Sequence, residues 1–145
     1  AYRVNLLAPA LLINAFLKAF KESNARKKVI NISSGAAKKA YDGWSSYCTT
    51  KAGLDMLTEV AYLENQIRDG DFFIRSLAPG VVETGMQERI RQTGRSDFSR
   101  VDRFHKLKEE NRLQSPEEAA RRILNFIDQL GKYPDPVYDV RDIED

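Results

Sequence analysis

Two short apolar runs, Val29-Ile30-Asn31-Ile32-Ser33 and Phe72-Phe73-Ile74-Arg75-Ser76-Leu77, stand on either side of a segment with helical periodicity. Runs of this length, rich in β-branched and aromatic residues, suit strands covered on both faces, the condition of a parallel sheet. Between them, from Ser45 to Ile67, Ala52, Met56, Leu57, Val60 and Ala61 recur at helical spacing, and Gly70 lies beyond the end. Parallel neighbours need a long crossover, and a helix supplies it. The chain is therefore expected to be α/β, with helices on both faces of a doubly wound parallel sheet.

The flanks fit the same plan. From Tyr2 to Lys21, the residues Leu6, Leu7, Leu11, Leu12, Ala15, Phe16, Ala19 and Phe20 cover a wide helical face, which predicts a largely buried helix. After Ala78-Pro79-Gly80, residues 81–114 are polar, mixed in charge and poorly periodic, so they form a long excursion with one or two short helices. Ser115-Pro116-Glu117-Glu118 combines an N-cap serine, a proline at the first helical position and a glutamate three residues after the cap. A helix over Pro116 to Leu130 follows, with Ala119, Ala120, Ile123, Ile127 and Leu130 inward and Gly131 closing it. Residues 136–140 supply one last short strand. No internal repeat or linker divides the chain.

Composition then removes several classes of function. The longest apolar stretch, Leu6 to Leu17, is interrupted by Pro9 and Asn14 and is too short to cross a bilayer. A single cysteine, Cys48, excludes an intramolecular disulfide and a multi-cysteine zinc site, and no metal site is expected. With no signal peptide in view, a cytoplasmic location is expected. Basic and acidic side chains number 23 and 21, a balance that argues against a dedicated nucleic-acid binder. Arg26-Lys27-Lys28 reads as a solvated helix end.

Tyr47 and Lys51 stand four residues apart at the start of the second helix, on one face. An ammonium beside a phenol favours the phenolate, so the pair can exchange a proton with a substrate. Ser34 ends the first strand thirteen residues earlier, where its hydroxyl can donate to a substrate oxygen, while Ser33 is expected to face the core. Pro79-Gly80-Val81-Val82-Glu83-Thr84 follows the second strand, at the same carboxyl edge where ligands bind in such sheets. Pro9 lacks an N–H and crowds the carbonyl of Asn5, so a kinked first helix would leave that carbonyl free to hold a water. Trp44, at the helix entrance, can stack on substrate or pack. Cys48 reads as a packing residue. His105, the single histidine, would have to reach Ser34 to form a Ser-His-Asp triad.

Asn5, Asn31-Ile32-Ser33-Ser34, Tyr47-x-x-x-Lys51 and Pro79-Gly80-x-x-x-Thr84, in this order and spacing, resemble the carboxyl-terminal half of a short-chain dehydrogenase/reductase, across essentially all 145 residues. Gly43-Trp44-x-x-Tyr47-Cys48-x-x-Lys51-Ala52, Asp55-Met56-Leu57 and Thr84-x-Met86-Gln87 narrow the resemblance to the sepiapterin and benzil reductase type. The resemblance implies the carboxyl-terminal part of a Rossmann-type sheet and reduction of a ketone or vicinal dicarbonyl by NADP(H), with NAD(H) left open. It implies Tyr47 as acid, Lys51 beside it and on the nicotinamide ribose, Ser34 polarising the carbonyl, and Asn5 holding a relay water. Pro79, Gly80, Val82 and Thr84 would join Tyr47 and Lys51 against the cofactor. Ser34, Trp44 and Asp139 would face the substrate, Asp139 by analogy with an aspartate that anchors pterin.

The resemblance also implies a homodimer or homotetramer through the helices at 2–21 and 45–67. None of the eight glycines forms the family's phosphate-binding fingerprint, so the expectation is that a nucleotide-binding βαβ half precedes Ala1. The 145 residues are then one portion of a single domain, with 81–114 its substrate-loop excursion. Two other readings stand beside this one: an alcohol or hydroxysteroid dehydrogenase of the same fold, and a non-catalytic dimerisation or scaffold fragment.

Overall fold

The computed structural model describes residues 1–68, 70 and 72–143. Three strands, β1 (Lys27–Ile32), β2 (Phe72–Ala78) and β3 (Val137–Asp139), form one parallel sheet in that order. Helix α2 (Ser45–Ile67) makes the first crossover. The second carries α3 (Gly85–Arg91), α4 (Val101–Glu109) and α5 (Pro116–Asp128). Helix α1 (Ala8–Ala19) precedes the sheet. The register pairs Ile32 with Leu77, and Leu77 in turn with Tyr138. The three strands therefore end level, and the segments after them share one edge.

One face of the sheet is covered by α5. Leu77, Phe126, Leu130 and Val140 form its buried cluster, with Ile30, Phe73, Ile123, Tyr133 and Tyr138 packed around them. Ser115 caps α5 as the sequence requires, accepting from the Glu118 N–H at 3.1 Å. The helix ends at Asp128, and a short 3₁₀ turn, Leu130–Lys132, takes its place at Gly131. Phe126 rather than Ala120 completes the inward face, since Ala120 is exposed. Lys27 and Lys28 do not end a helix. They begin β1, and Lys28 donates to the Ile127 carbonyl at 2.8 Å.

The opposite face corrects the periodicity reading. The residues of α2 that are buried are Thr50, Leu54, Asp55, Thr58 and Asn65, whereas Met56 and Val60 of the periodic apolar stripe are exposed. The reason is a polar match across the interface. Asn31 on β1 donates to Thr58 at 2.8 Å, and Ser76 on β2 donates to the Asp55 carboxylate at 2.6 Å, so these four buried polar side chains are paired across the interface. Hydrogen-bonded partners, not apolar area alone, orient α2 on the sheet.

The first helix is likewise not buried. Only Ile13 of α1 is buried, and Val4, Leu7, Leu11 and Leu12 are all more than half exposed. The backbone over Arg3–Leu7 widens into a π turn immediately before Pro9, which relieves the crowding a proline brings to a regular helix. Leu6 in this turn packs on Gly53 of α2, where a Cβ would sit 3.1 Å from Leu6 Cδ2. Together with Met56, Val60, Leu63 and Ile67, the apolar side chains of α1 leave a broad unpartnered surface among the described residues. No helix in this set is long and apolar enough to cross a membrane.

The polar excursion is anchored where it leaves and where it returns. Val82 bridges Gln114 in parallel fashion, the Glu83 N–H donates to the Gln114 carbonyl at 2.9 Å, and the Gln114 N–H donates to that of Val81 at 3.0 Å. Glu83 adds ion pairs to Arg91 of α3 at 2.8 Å and Lys108 of α4 at 3.1 Å. At its far end Phe98, 1% exposed, stacks on Trp44 at 4.9 Å and meets Phe104 at 5.5 Å. This aromatic cluster bolts the excursion to the entrance of α2.

Candidate active site

The level strand ends open a cavity of about 240 Å³ between the sheet edge and the excursion. Ser34 reaches it from the end of β1, Trp44 and Tyr47 from the start of α2, and Pro79, Gly80, Val82 and Thr84 from the turn after β2. Gly80 has φ +78°, in the left-handed region where glycine carries no steric cost, so the chain turns sharply there. Three sequence segments far apart in the chain thus meet at one place because the strands are parallel and in register.

Ser34 caps the turn Gly35–Ala37, its Oγ accepting from the Ala36 N–H at 3.1 Å. That bond fixes the oxygen while the hydroxyl proton stays available to an acceptor in the cavity. Ser33 is buried as expected, although it also borders the cavity, and its hydroxyl has no hydrogen-bond partner among the described residues. The backbone stays extended past the end of β1, with the Ser33 N–H still donating to the Leu77 carbonyl at 2.9 Å, and both serines stand at the sheet edge.

Lys51 lies one turn after Tyr47, with Nζ 5.8 Å from the centre of the phenol ring. Its ammonium donates to the Ile32 carbonyl at 2.8 Å, which ties α2 to the end of β1. Burial pushes the Lys51 ammonium below the ordinary lysine range, and the carboxylate of Asp55, one turn further along, opposes that shift. Asn5 donates through its side chain to Thr50 Oγ1 at 3.3 Å, and Thr50 donates to the Tyr47 carbonyl at 3.0 Å. Asn5 is therefore linked to the turn that bears Tyr47 and Lys51.

Of the two roles the sequence left open for Trp44, the structure shows the packing one, and the ring also borders the cavity. It lies edge-on to Tyr47 at 5.7 Å and stacks on Phe98. Asn5, Lys51 and Asp139 are the sequence candidates that stand outside the cavity lining. Asp139 is held by Arg141, its carboxylate accepting from Arg141 Nε at 2.7 Å and Nη2 at 2.5 Å. Arg141 lines the cavity instead, with Arg103 and Lys39. No signal in the sequence marked Arg141, Arg103 or Lys39 for this cavity. Cys48 directs its thiol to the Lys39 carbonyl at 3.6 Å, and His105 is exposed on α4 away from the cavity lining, so no triad forms with Ser34.

Known proteins resemble this chain over most of its length. A benzil reductase ((S)-benzoin forming) of Bacillus cereus is 49% identical over 125 residues, 86% of this chain and 50% of that protein. Sepiapterin reductase of Meriones unguiculatus is 36% identical over 87% of this chain and 47% of its own length. Among solved structures, the KRED1-Pglu enzyme superposes with a TM-score of 0.79 at 28% identity, over 94% of this chain and 56% of that one. The chain thus spans about half the length of the curated relatives it matches. The short chain dehydrogenase family profile matches residues 1–95, well over half of the 145, and the chain belongs to that family.

Proposed function

We propose that this chain carries the catalytic, carboxyl-terminal portion of an NADPH-dependent carbonyl reductase acting on a ketone or vicinal dicarbonyl. The observation that carries the reading is the convergence of Ser34 and Tyr47 on one cavity beside the Pro79–Thr84 turn, with Lys51 one helical turn behind Tyr47. Its likeness to benzil and sepiapterin reductases supports a carbonyl as the substrate. The choice of NADPH over NADH follows from the resemblance drawn on the sequence.

The residues present fit the nicotinamide end of such a cofactor. Lys51 Nζ spends one donor on the Ile32 carbonyl and keeps two, and the sharp turn at Gly80 brings backbone close to the cavity. Tyr47, Lys51, Pro79, Gly80, Val82 and Thr84 would hold that end, whereas no glycine-rich fingerprint for the pyrophosphate stands among the eight glycines. When bound, the reduced nicotinamide supplies the hydride. Tyr47 donates its phenolic proton to the carbonyl oxygen, and Ser34 donates a hydrogen bond to the same oxygen, which lowers the barrier as negative charge develops. Lys51 stabilises the phenolate that remains. Asn5, fixed through Thr50, would hold a water at its main-chain carbonyl that returns the proton by way of Lys51.

The exposed apolar faces of α1 and α2 support assembly into a homodimer or homotetramer, and a cytoplasmic location belongs to the same proposal. They equally favour the second reading, a dimerisation or scaffold module. A panel of diketones and simple ketones with NADPH and NADH, beside secondary alcohols and hydroxysteroids with the oxidised cofactors, separates these readings for the full-length protein. Diketone reduction that is faster with NADPH is the expected result. Turnover confined to alcohols, or a folded protein that binds neither cofactor, overturns it.

A further inference from the structure

Among the described residues, all the charged side chains that line the cavity are cationic: Lys39, Arg103 and Arg141 face it, and no aspartate or glutamate does. Arg141 is the best placed of the three. A Cβ on Gly35, the residue after Ser34, would lie 3.7 Å from Arg141 Nη2, and one on Gly80 would lie 3.8 Å from Arg141 Cγ. The arginine therefore spans the turn that carries Ser34 and the Pro79-Gly80 turn, beside the place where a carbonyl oxygen would meet Ser34.

Its direction is fixed. Asp139 accepts from Arg141 at three points, the backbone N–H at 3.0 Å, Nε at 2.7 Å and Nη2 at 2.5 Å. This fork uses one edge of the planar guanidinium and leaves the Nη1 hydrogens and one on Nη2 for another acceptor. Asp139 stays outside the cavity lining, so the pair presents donors and no acceptor to whatever enters. Trp44, Ile90, Phe104 and Leu107 line the same cavity with apolar surface.

We propose that Arg141, oriented by Asp139, recognises a carboxylate on the carbonyl substrate, so that the preferred substrates are 2-oxo acids whose apolar remainder lies against the Trp44 wall. The inference rests on the reductase reading and names the substrate class of that site. Asp139 is here a positioning residue for Arg141 rather than a substrate ligand. Arg103 and Lys39 add positive charge around the same cavity and favour entry of an anion.

The test compares benzoylformate with its methyl ester, which share the aryl 2-oxo frame and differ in charge, using the full-length protein and NADPH. The effect of each substitution on the ratio of the two kcat/KM values cancels the difference in intrinsic reactivity. Arg141→Gln is expected to lower kcat/KM for benzoylformate about tenfold or more, chiefly through KM, as loss of a charge-assisted hydrogen bond does. The ester changes less than about threefold. Arg141→Lys recovers part of the loss, and Asp139→Asn raises KM for benzoylformate while sparing the ester. Equal losses on both compounds show a structural role and overturn the inference. A raised KM for NADPH with the ratio unchanged assigns Arg141 to the cofactor and also overturns it. If the wild type reduces the ester and neutral diketones but Arg141→Gln leaves the ratio unchanged, only this inference fails. If the wild type reduces no carbonyl compound, the reductase reading fails and the inference with it.

Discussion

Replacing Phe98 by alanine tests how the excursion is held over the cavity. The Phe98 ring is 1% exposed and lies 4.9 Å from Trp44, 5.5 Å from Phe104 and 6.3 Å from Tyr41. Truncating a buried phenylalanine removes transfer free energy and leaves a cavity, together about 3–5 kcal/mol. At roughly 2–4 °C per kcal/mol for a domain of this size, the midpoint falls by about 10 °C. Trp44 is the single tryptophan of the chain and stands in the damaged cluster, so its emission reports the site directly. The sheet cluster of Leu77, Phe126, Leu130 and Val140 is separate from the aromatic one, so far-UV circular dichroism reports a different part of the molecule. Phe98→Ala is expected to shift Trp44 emission to the red in native buffer and to bring the fluorescence transition below the dichroism transition on heating. Unchanged emission with both midpoints within about 2 °C of wild type would refute the claim that this cluster fastens the excursion.

Two further predictions follow from the charged groups. Arg91 and Lys108 hold the Glu83 carboxyl below the usual carboxylate range by hydrogen bonding. A depressed carboxyl contributes stability that is present above its unfolded pKa and lost as the pH falls through the folded one, so the excursion should loosen below about pH 4. Trp44 fluorescence followed during acid titration should show a step that Glu83→Gln diminishes, and an identical titration in that variant would contradict the role. Asp55 is buried, accepts from Ser76 at 2.6 Å and raises the pKa of Lys51. Asp55→Asn should lower the Lys51 pKa further, which moves the alkaline limb of the pH–rate profile to lower pH, and it should cost about 1–3 kcal/mol of stability. Denaturant midpoints and the profile check both, and a limb displaced upward would count against the argument.

The strands, α2 and the cap of α5 were legible because each rests on local chemistry: β-branched runs, helical spacing, and a serine placed before proline and two glutamates. The excursion was legible as an interruption of periodicity. What the sequence concealed was the orientation of α2. Its apolar stripe, with Met56 and Val60, points away from the sheet, while Asp55 and Thr58 face Ser76 and Asn31. Periodicity identifies a stripe but not the surface it meets, and here complementary polar groups decide. The same blindness explains α1, where Leu11 and Leu12 are exposed and only Ile13 is buried. Ser34, Tyr47 and Lys51 could be read because fixed spacing places them at a strand end and one helical turn apart. Arg141 could not, since its position in the cavity depends on β3 lying level with β2 and on the carboxylate of Asp139.

The central claim is that Tyr47 gives the proton in carbonyl reduction, and Tyr47→Phe in the full-length protein tests it most directly. Steady-state reduction of benzil with NADPH, measured beside NADPH affinity by titration, separates chemistry from binding. The account predicts a fall in kcat of about 10² to 10⁴, the contribution of a positioned general acid, with cofactor affinity largely retained. Turnover like that of the wild type would contradict it.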